Sequence, residues 1–144
     1  MTIQYDGNDF HGWQVQAKGR TVQGDIEDAL SVIYPDEKIT LIGAGRTDAG
    51  VHALGQAAHI KLPPKLSADE LQQALNGNLN QDVRIDKVDE VADDFHTRFS
   101  ATAREYEYRL VKHFSPVTRN YTTPLKWEID NKLLNECVEL LPGK

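Results

Sequence analysis

Between Gly43 and Ala53 the chain reads Gly-Ala-Gly-Arg-Thr-Asp-Ala-Gly-Val-His-Ala. A cation, a hydroxyl and a carboxylate fall on successive residues, Arg46, Thr47 and Asp48, inside a glycine-rich loop. A small polar loop placed straight after an apolar run points its side chains at a ligand more often than at a core. Asp48 is the candidate for chemistry, as the only carboxylate of this loop. Arg46 could bind an anion, or pair with Asp48 and keep it ionised. The plainer alternative is a tight turn in which the Asp48 side chain caps backbone N–H groups. His52 and His59 follow closely, and for each a place in a polar hydrogen-bonding network is the expectation.

The elements that must hold this loop can be read from periodicity. Thr2 to Tyr5 reads as a short strand, and Asp6 to Arg20 as a loop whose Phe10 and Trp13 could stack on a base or pack the loop onto the body. Thr21 caps a helix to Tyr34, with Val22, Ile26, Ala29, Leu30 and Ile33 on one face. Lys38 to Ala44 reads as a strand leading into the central loop, and Gly55 to Leu62 as another, stopped by Pro63-Pro64. Ser67 and Glu70 form a capping box for a helix through about Asn76, and Asn76 to Asn80 reads as a turn. Val83 to Val91 alternates as a strand near a sheet edge. Ala101 to Phe114 reads as a longer strand, Pro116 to Pro124 as a loop, and Asp130 or Asn131 caps a last helix through Leu141. This order predicts an α+β fold: an antiparallel sheet with helices on one face, closest to a ferredoxin-like split βαβ.

Length and composition set bounds. The 144 residues suffice for one domain with a core, and the 40% hydrophobic content suits a soluble globular protein. No apolar run reaches membrane-helix length and no charged-then-apolar leader is present, so a cytoplasmic protein without membrane contact is expected. Cys137 is the only cysteine and sits in an apolar-periodic stretch, so a buried thiol is expected. The histidines never pair with it at ligand spacing, which argues against a metal. The net charge of −6 argues mildly against nucleic acid. The acids, however, cluster at Asp25, Glu27 and Asp28 and again between Asp86 and Asp94. Arg20, Arg46, Arg98 and Arg104 lie outside those clusters.

Gly45-Arg46-Thr47-Asp48-Ala49-Gly50-Val51-His52-Ala53 resembles the signature of the tRNA pseudouridine synthase A family. Tyr5-Asp6-Gly7, Phe10-His11-Gly12-Trp13-Gln14 and Thr21-Val22-Gln23 are similar to that family's opening. The run from Asp94 to Arg104 and Tyr106-Glu107-Tyr108 are similar to its later blocks, in the family's order. The resemblance implies isomerisation of uridine to pseudouridine in the anticodon stem-loop of tRNA, at nucleotides 38 to 40, with the target base flipped out. It implies Asp48 as the catalytic residue, Tyr106 as candidate general base, and Arg46 in flipping or in tuning Asp48. Arg20, Arg98 and Arg104 become candidate contacts to the RNA backbone. It implies no cofactor, since the reaction has no redox change, and a homodimer in the full-length protein. The family's fold has two ferredoxin-like halves, and this chain matches the N-terminal catalytic half. Residues 1–144 are therefore read as a truncated piece lacking the C-terminal half, inactive or nearly so by itself. Whether Asp48 attacks C1′, attacks C6 or promotes a glycal stays open. Two other readings stand beside this one: a non-catalytic RNA-binding ferredoxin-like module with Tyr106 and Tyr108 as stacking aromatics, and a two-carboxylate glycoside hydrolase pairing Asp48 with Asp93 or Asp94.

Overall fold

The computed structural model describes residues 1–141 and divides into two compact units, Met1–Arg104 and a second beginning at Glu105. In the first, β1 (Thr2–Tyr5), α1 (Val22–Ile33), β2 (Ile42–Gly43), β3 (Ala53–His59), α2 (Ala68–Asn78) and β4 (Val83–Lys87) follow in order. The sheet order is β2-β3-β1-β4 and every neighbouring pair is antiparallel. This is the ferredoxin-like split βαβ order that the element sequence predicts.

The alternation of the strands decides which face is covered. Ile3, Tyr5, Ala58, Val83 and Ile85 are buried in one cluster with Val22, Ile26, Ala29 and Leu30 of α1 and Leu71 and Leu75 of α2. Both helices therefore cover one face, and Gln4, Ala57, Arg84 and Asp86 stay on the other, outside the core. Thr21 caps α1 by accepting from the Gly24 N–H, and Ser67 and Glu70 complete the expected capping box on α2. The strand at the β4 edge matches the expectation for Val83 onward.

Several boundaries differ for identifiable reasons. Of the strand expected over Lys38 to Ala44, only the end forms: Ile42 and Gly43 pair with β3, and the Ala44 N–H adds a bond to the Ala57 carbonyl. Side chains of α1 take up the backbone before it: Glu27 Oε1 accepts from the Leu41 N–H, and Gln23 Nε2 donates to the Leu41 carbonyl. Helix α2 runs past Asn76 to Asn78, because Asn76 spends its side chain on both the N–H and the carbonyl of Ile85 in β4 instead of making a turn. Strand β3 starts two residues before its expected start and β4 ends at Lys87, not Val91.

The second unit holds β5 (Leu110–Val111) and β6 (Thr123–Pro124), which pair in parallel, and α3 (Asn131–Glu139). The long strand expected from Ala101 to Phe114 is thus reduced to two residues, and its partner lies in the stretch expected to be loop. Asp130 caps α3, accepting from the Lys132 and Leu133 N–H groups. Cys137, expected to be buried, is exposed, because α3 has no buried residue at all. Among the described residues no helix is long and apolar enough to cross a membrane.

Candidate active site

The central loop leaves the sheet where β2 ends, and two layers of contact hold it. The first layer is the Asp6–Trp13 stretch. Trp13 is 2% exposed, and its indole lies so close to Gly43 that a Cβ there would come within 2.7 Å of the ring. The Trp13 N–H donates to the Thr47 carbonyl at 3.0 Å, and the Gly50 N–H to the Phe10 carbonyl at 3.3 Å. Gly12 has φ +92°, and a Cβ on it would meet the Thr47 carbonyl oxygen at 2.7 Å, so this approach requires glycine. Phe10 and Trp13 are therefore packed under the loop and are not stacking platforms.

The second layer consists of side chains from distant segments. Tyr5 Oη and Thr47 Oγ1 are hydrogen-bonded at 2.8 Å. Burial pushes the Tyr5 phenol above its ordinary value, against the opposing hydrogen bonds from Thr47 and Gln56, so it stays protonated. Gln56 Nε2 donates to the Gly45 carbonyl at 2.9 Å, Arg104 Nη2 to the Ala44 carbonyl at 2.8 Å, and Thr97 Oγ1 to the Ile42 carbonyl at 3.0 Å. Thr97 is seated on His59, its Oγ1 2.8 Å from His59 Nδ1. Burial, then the charges of His96, the N-terminus and Lys61, hold the His59 imidazolium below its ordinary pKa. His52 Nδ1 accepts from the Gly7 N–H at 3.1 Å and lies 3.1 Å from Asp6, so both histidines do sit in polar networks.

Against this fixed backbone the two charged side chains of the loop are loose. Arg46 and Asp48 are exposed, and among the described residues neither the guanidinium nor the carboxylate has a hydrogen bond or ion pair. The Arg46–Asp48 salt bridge considered above is not formed, so tuning of Asp48 by that contact has no support. The capping alternative for Asp48 also fails: the local turn is closed by the Val51 N–H donating to the Asp48 main-chain carbonyl at 3.2 Å, and the carboxylate caps nothing. Asp48 thus presents an exposed carboxylate from a hydrogen-bonded loop, two residues from the exposed guanidinium of Arg46.

The other expected site residues scatter. Arg20 is committed elsewhere. It bridges Asp25 and Asp82 and lies 4.3 Å over the Phe10 ring, with its pKa raised chiefly by the Asp82 hydrogen bonds. It ties the Asp6–Arg20 loop to α1 and to the α2–β4 connection, which removes it as a simple phosphate contact. Arg98 is exposed, with no side-chain partner among the described residues. Arg104 reaches the loop but spends one N–H on Ala44. Tyr106 belongs to the second unit and is 65% exposed. Tyr5, Gln56 and Thr97 escaped the sequence reading, since their contacts with the loop span 42, 11 and 55 positions. No local pattern encodes such pairings.

Comparison with known proteins fits this geometry. Residues 1–100 match the family model described as tRNA pseudouridine synthase. The chain is 47% identical to the tRNA pseudouridine synthase A of Brachyspira hyodysenteriae over 150 residues, covering 100% of this chain and 59% of that protein. Identity is 44% with the protein of the same name from Thermodesulfovibrio yellowstonii, covering 99% and 57%, and 45% with that of Limosilactobacillus fermentum, covering 100% and 57%. The chain thus spans somewhat over half the length of these relatives. The matched region contains the whole four-stranded sheet and the residues described above as gripping the central loop, except Arg104, so the fold, the loop and the aligned sequence agree that this chain belongs to the tRNA pseudouridine synthase family.

Proposed function

We propose that the protein carrying this chain isomerises uridine to pseudouridine in tRNA, with the Asp48 carboxylate as the reacting group. One observation carries the reading: Asp48, exposed and without a side-chain partner among the described residues, sits on a loop tied through the Thr47 side chain to β1 and through its backbone to β3, the Asp6–Trp13 stretch and Arg104, while Thr97 holds the end of β2. The reaction breaks the uracil N1 to ribose C1′ bond, joins C1′ to C5 of the turned base, removes the C5 proton and leaves a proton on N1. Atoms and electrons balance without an oxidant, reductant or metal. A carboxylate is the weakly basic nucleophile that can both bond to carbon and depart. The target nucleotide has to leave its stack, at a cost of about a few kcal/mol. Arg46, free and two residues from Asp48, is proposed to occupy the vacated stack or hold the displaced phosphate. Arg98 is proposed as a backbone contact, and Tyr106 as the base that takes the C5 proton. The anticodon stem-loop as target, a homodimer bridging one tRNA and a cytoplasmic location belong to the same proposal.

The test uses tRNA tritiated at uracil C5 in the anticodon arm, and a second tRNA labelled only in another arm. Tritium release from the first alone, with pseudouridine in the digested product, is the expected result. Tight binding of both with release from neither overturns the reading in favour of a non-catalytic RNA-binding module. Release without pseudouridine, or cleavage of simple glycosides, overturns it in favour of another reaction.

A further inference from the structure

We propose that Arg104 is a positioning residue for Asp48, acting through the loop backbone and not as a contact to the RNA. The inference rests on Asp48 being the reacting group. Ala44 lies where the ladder of β2 gives way to the loop. Its N–H donates to the Ala57 carbonyl at 2.8 Å, which continues the β2–β3 pairing. Its carbonyl makes no bond to β3 among the described residues and accepts from Arg104 Nη2 at 2.8 Å. The guanidinium also lies over Gly45. A Cβ built there would come 3.4 Å from Arg104 Nε and 3.8 Å from Cδ. One side chain therefore holds the Ala44 carbonyl and lies against the Cβ position of Gly45, four and three residues before Asp48. The flanking carbonyls, Ile42 and Gly45, are held by neutral donors, Thr97 and Gln56. Only the middle one takes a charge-assisted bond, the stronger kind.

Among the described residues no carboxylate pairs with Arg104, so its charge is not spent on an ion pair. A lysine would keep that charge but lose the plane that spans Ala44 and Gly45. A glutamine would lose the charge and is too short to reach the carbonyl from the same backbone position. The two roles thus separate in kcat against KM and the salt slope.

Arg104→Lys, Arg104→Gln and Arg104→Met are compared with the parent in the tritium-release assay, with kcat and KM separated and tRNA binding measured against salt. Positioning predicts that kcat falls about tenfold to a hundredfold in the Lys and Met variants, the scale set by a misplaced reacting group. It also predicts that KM and the salt slope stay at the parent values whichever residue replaces Arg104. Higher KM, a salt slope reduced by about one and rescue by Lys overturn the proposal and make Arg104 a phosphate contact. Amide exchange of residues 45–48 in the chain itself gives a second readout that needs no activity. Faster exchange in Arg104→Lys supports the proposal, and unchanged exchange overturns it. If the full-length protein carrying this chain releases no tritium, the Asp48 reaction itself is refuted, and exchange then still decides what Arg104 holds.

Discussion

From Met1 to Arg104 the chain closes around a core that includes Ile3, Ile26, Leu30, Leu75 and Ile85, all without measurable exposure. From Glu105 onward no described side chain is buried, although the stretch is hardly poorer in apolar residues: Tyr108, Leu110, Phe114, Val117, Trp127, Leu133 and Leu140 are all exposed. Both units form a well-capped helix, so the local signals work equally in each. What differs is long-range pairing. In the first unit each strand finds an antiparallel neighbour and each apolar stripe a facing surface. In the second, β5 has only a two-residue parallel partner, and α3 turns Leu133, Leu134 and Val138 to the outside. Helix and strand propensity are local, whereas stability comes from burial.

The sharpest way to break this comparison is a matched pair of truncations. Leu75→Ala should destabilise the first unit by about 2–5 kcal/mol, as for a fully buried leucine, while Leu134→Ala should change stability by less than about 0.5 kcal/mol. Urea unfolding of both variants measures this, and equal losses would mean that α3 buries its stripe. The next effect is local to the loop. Gly43→Ala places a methyl against the Trp13 indole and should cost about 1–3 kcal/mol, with a matching change in tryptophan fluorescence.

These two predictions also mark what could be read in advance. The order of elements, the helix caps and the exposed edge of β4 follow from short-range patterns at Thr21, Ser67, Glu70 and Val83. The apolar alternation of Ala101 to Phe114 gives the same signal as that of Val83 to Lys87, yet only the latter pairs along its length, because Thr2–Tyr5 lies beside it. Cys137 is exposed for the same reason, since an apolar helical stripe implies burial only when something faces it. At the site, the sequence singles out Asp48 and Arg46 because glycines crowd them. It does not single out Tyr5, Gln56 or Thr97, and it suggests a role for Arg20 that Asp25 and Asp82 have already claimed.

Acid should act first on the first unit. The His59 imidazolium is disfavoured in the fold, so the unfolded chain takes up the proton first. The contribution is present above the ordinary histidine value of about 6.5, and is lost as pH falls through the lower folded value. His59→Gln should flatten stability across that window, as read from thermal midpoints. A parent curve already flat there would exclude the effect. The smallest expected change is at the α2 cap. The Ser67 backbone and hydroxyl hold Glu70 below its ordinary carboxylate value. Its contribution is therefore present above the unfolded value and fades as pH falls through the folded one. Glu70→Gln, which keeps an acceptor, should remove only that acid dependence in the same scans.

The central claim is that the held loop exists to present one free carboxylate. Asp48→Asn removes the charge and keeps the shape, and among the described residues no hydrogen bond or ion pair depends on that charge. Paired measurement of tRNA binding and of C5-tritium release, on the protein carrying this chain, tests it directly. The account predicts release at background with affinity within about twofold of the parent, a difference that corresponds to under about 0.5 kcal/mol of binding. Turnover within a few-fold of the parent would contradict it, and would leave the loop as a structural turn with an idle aspartate.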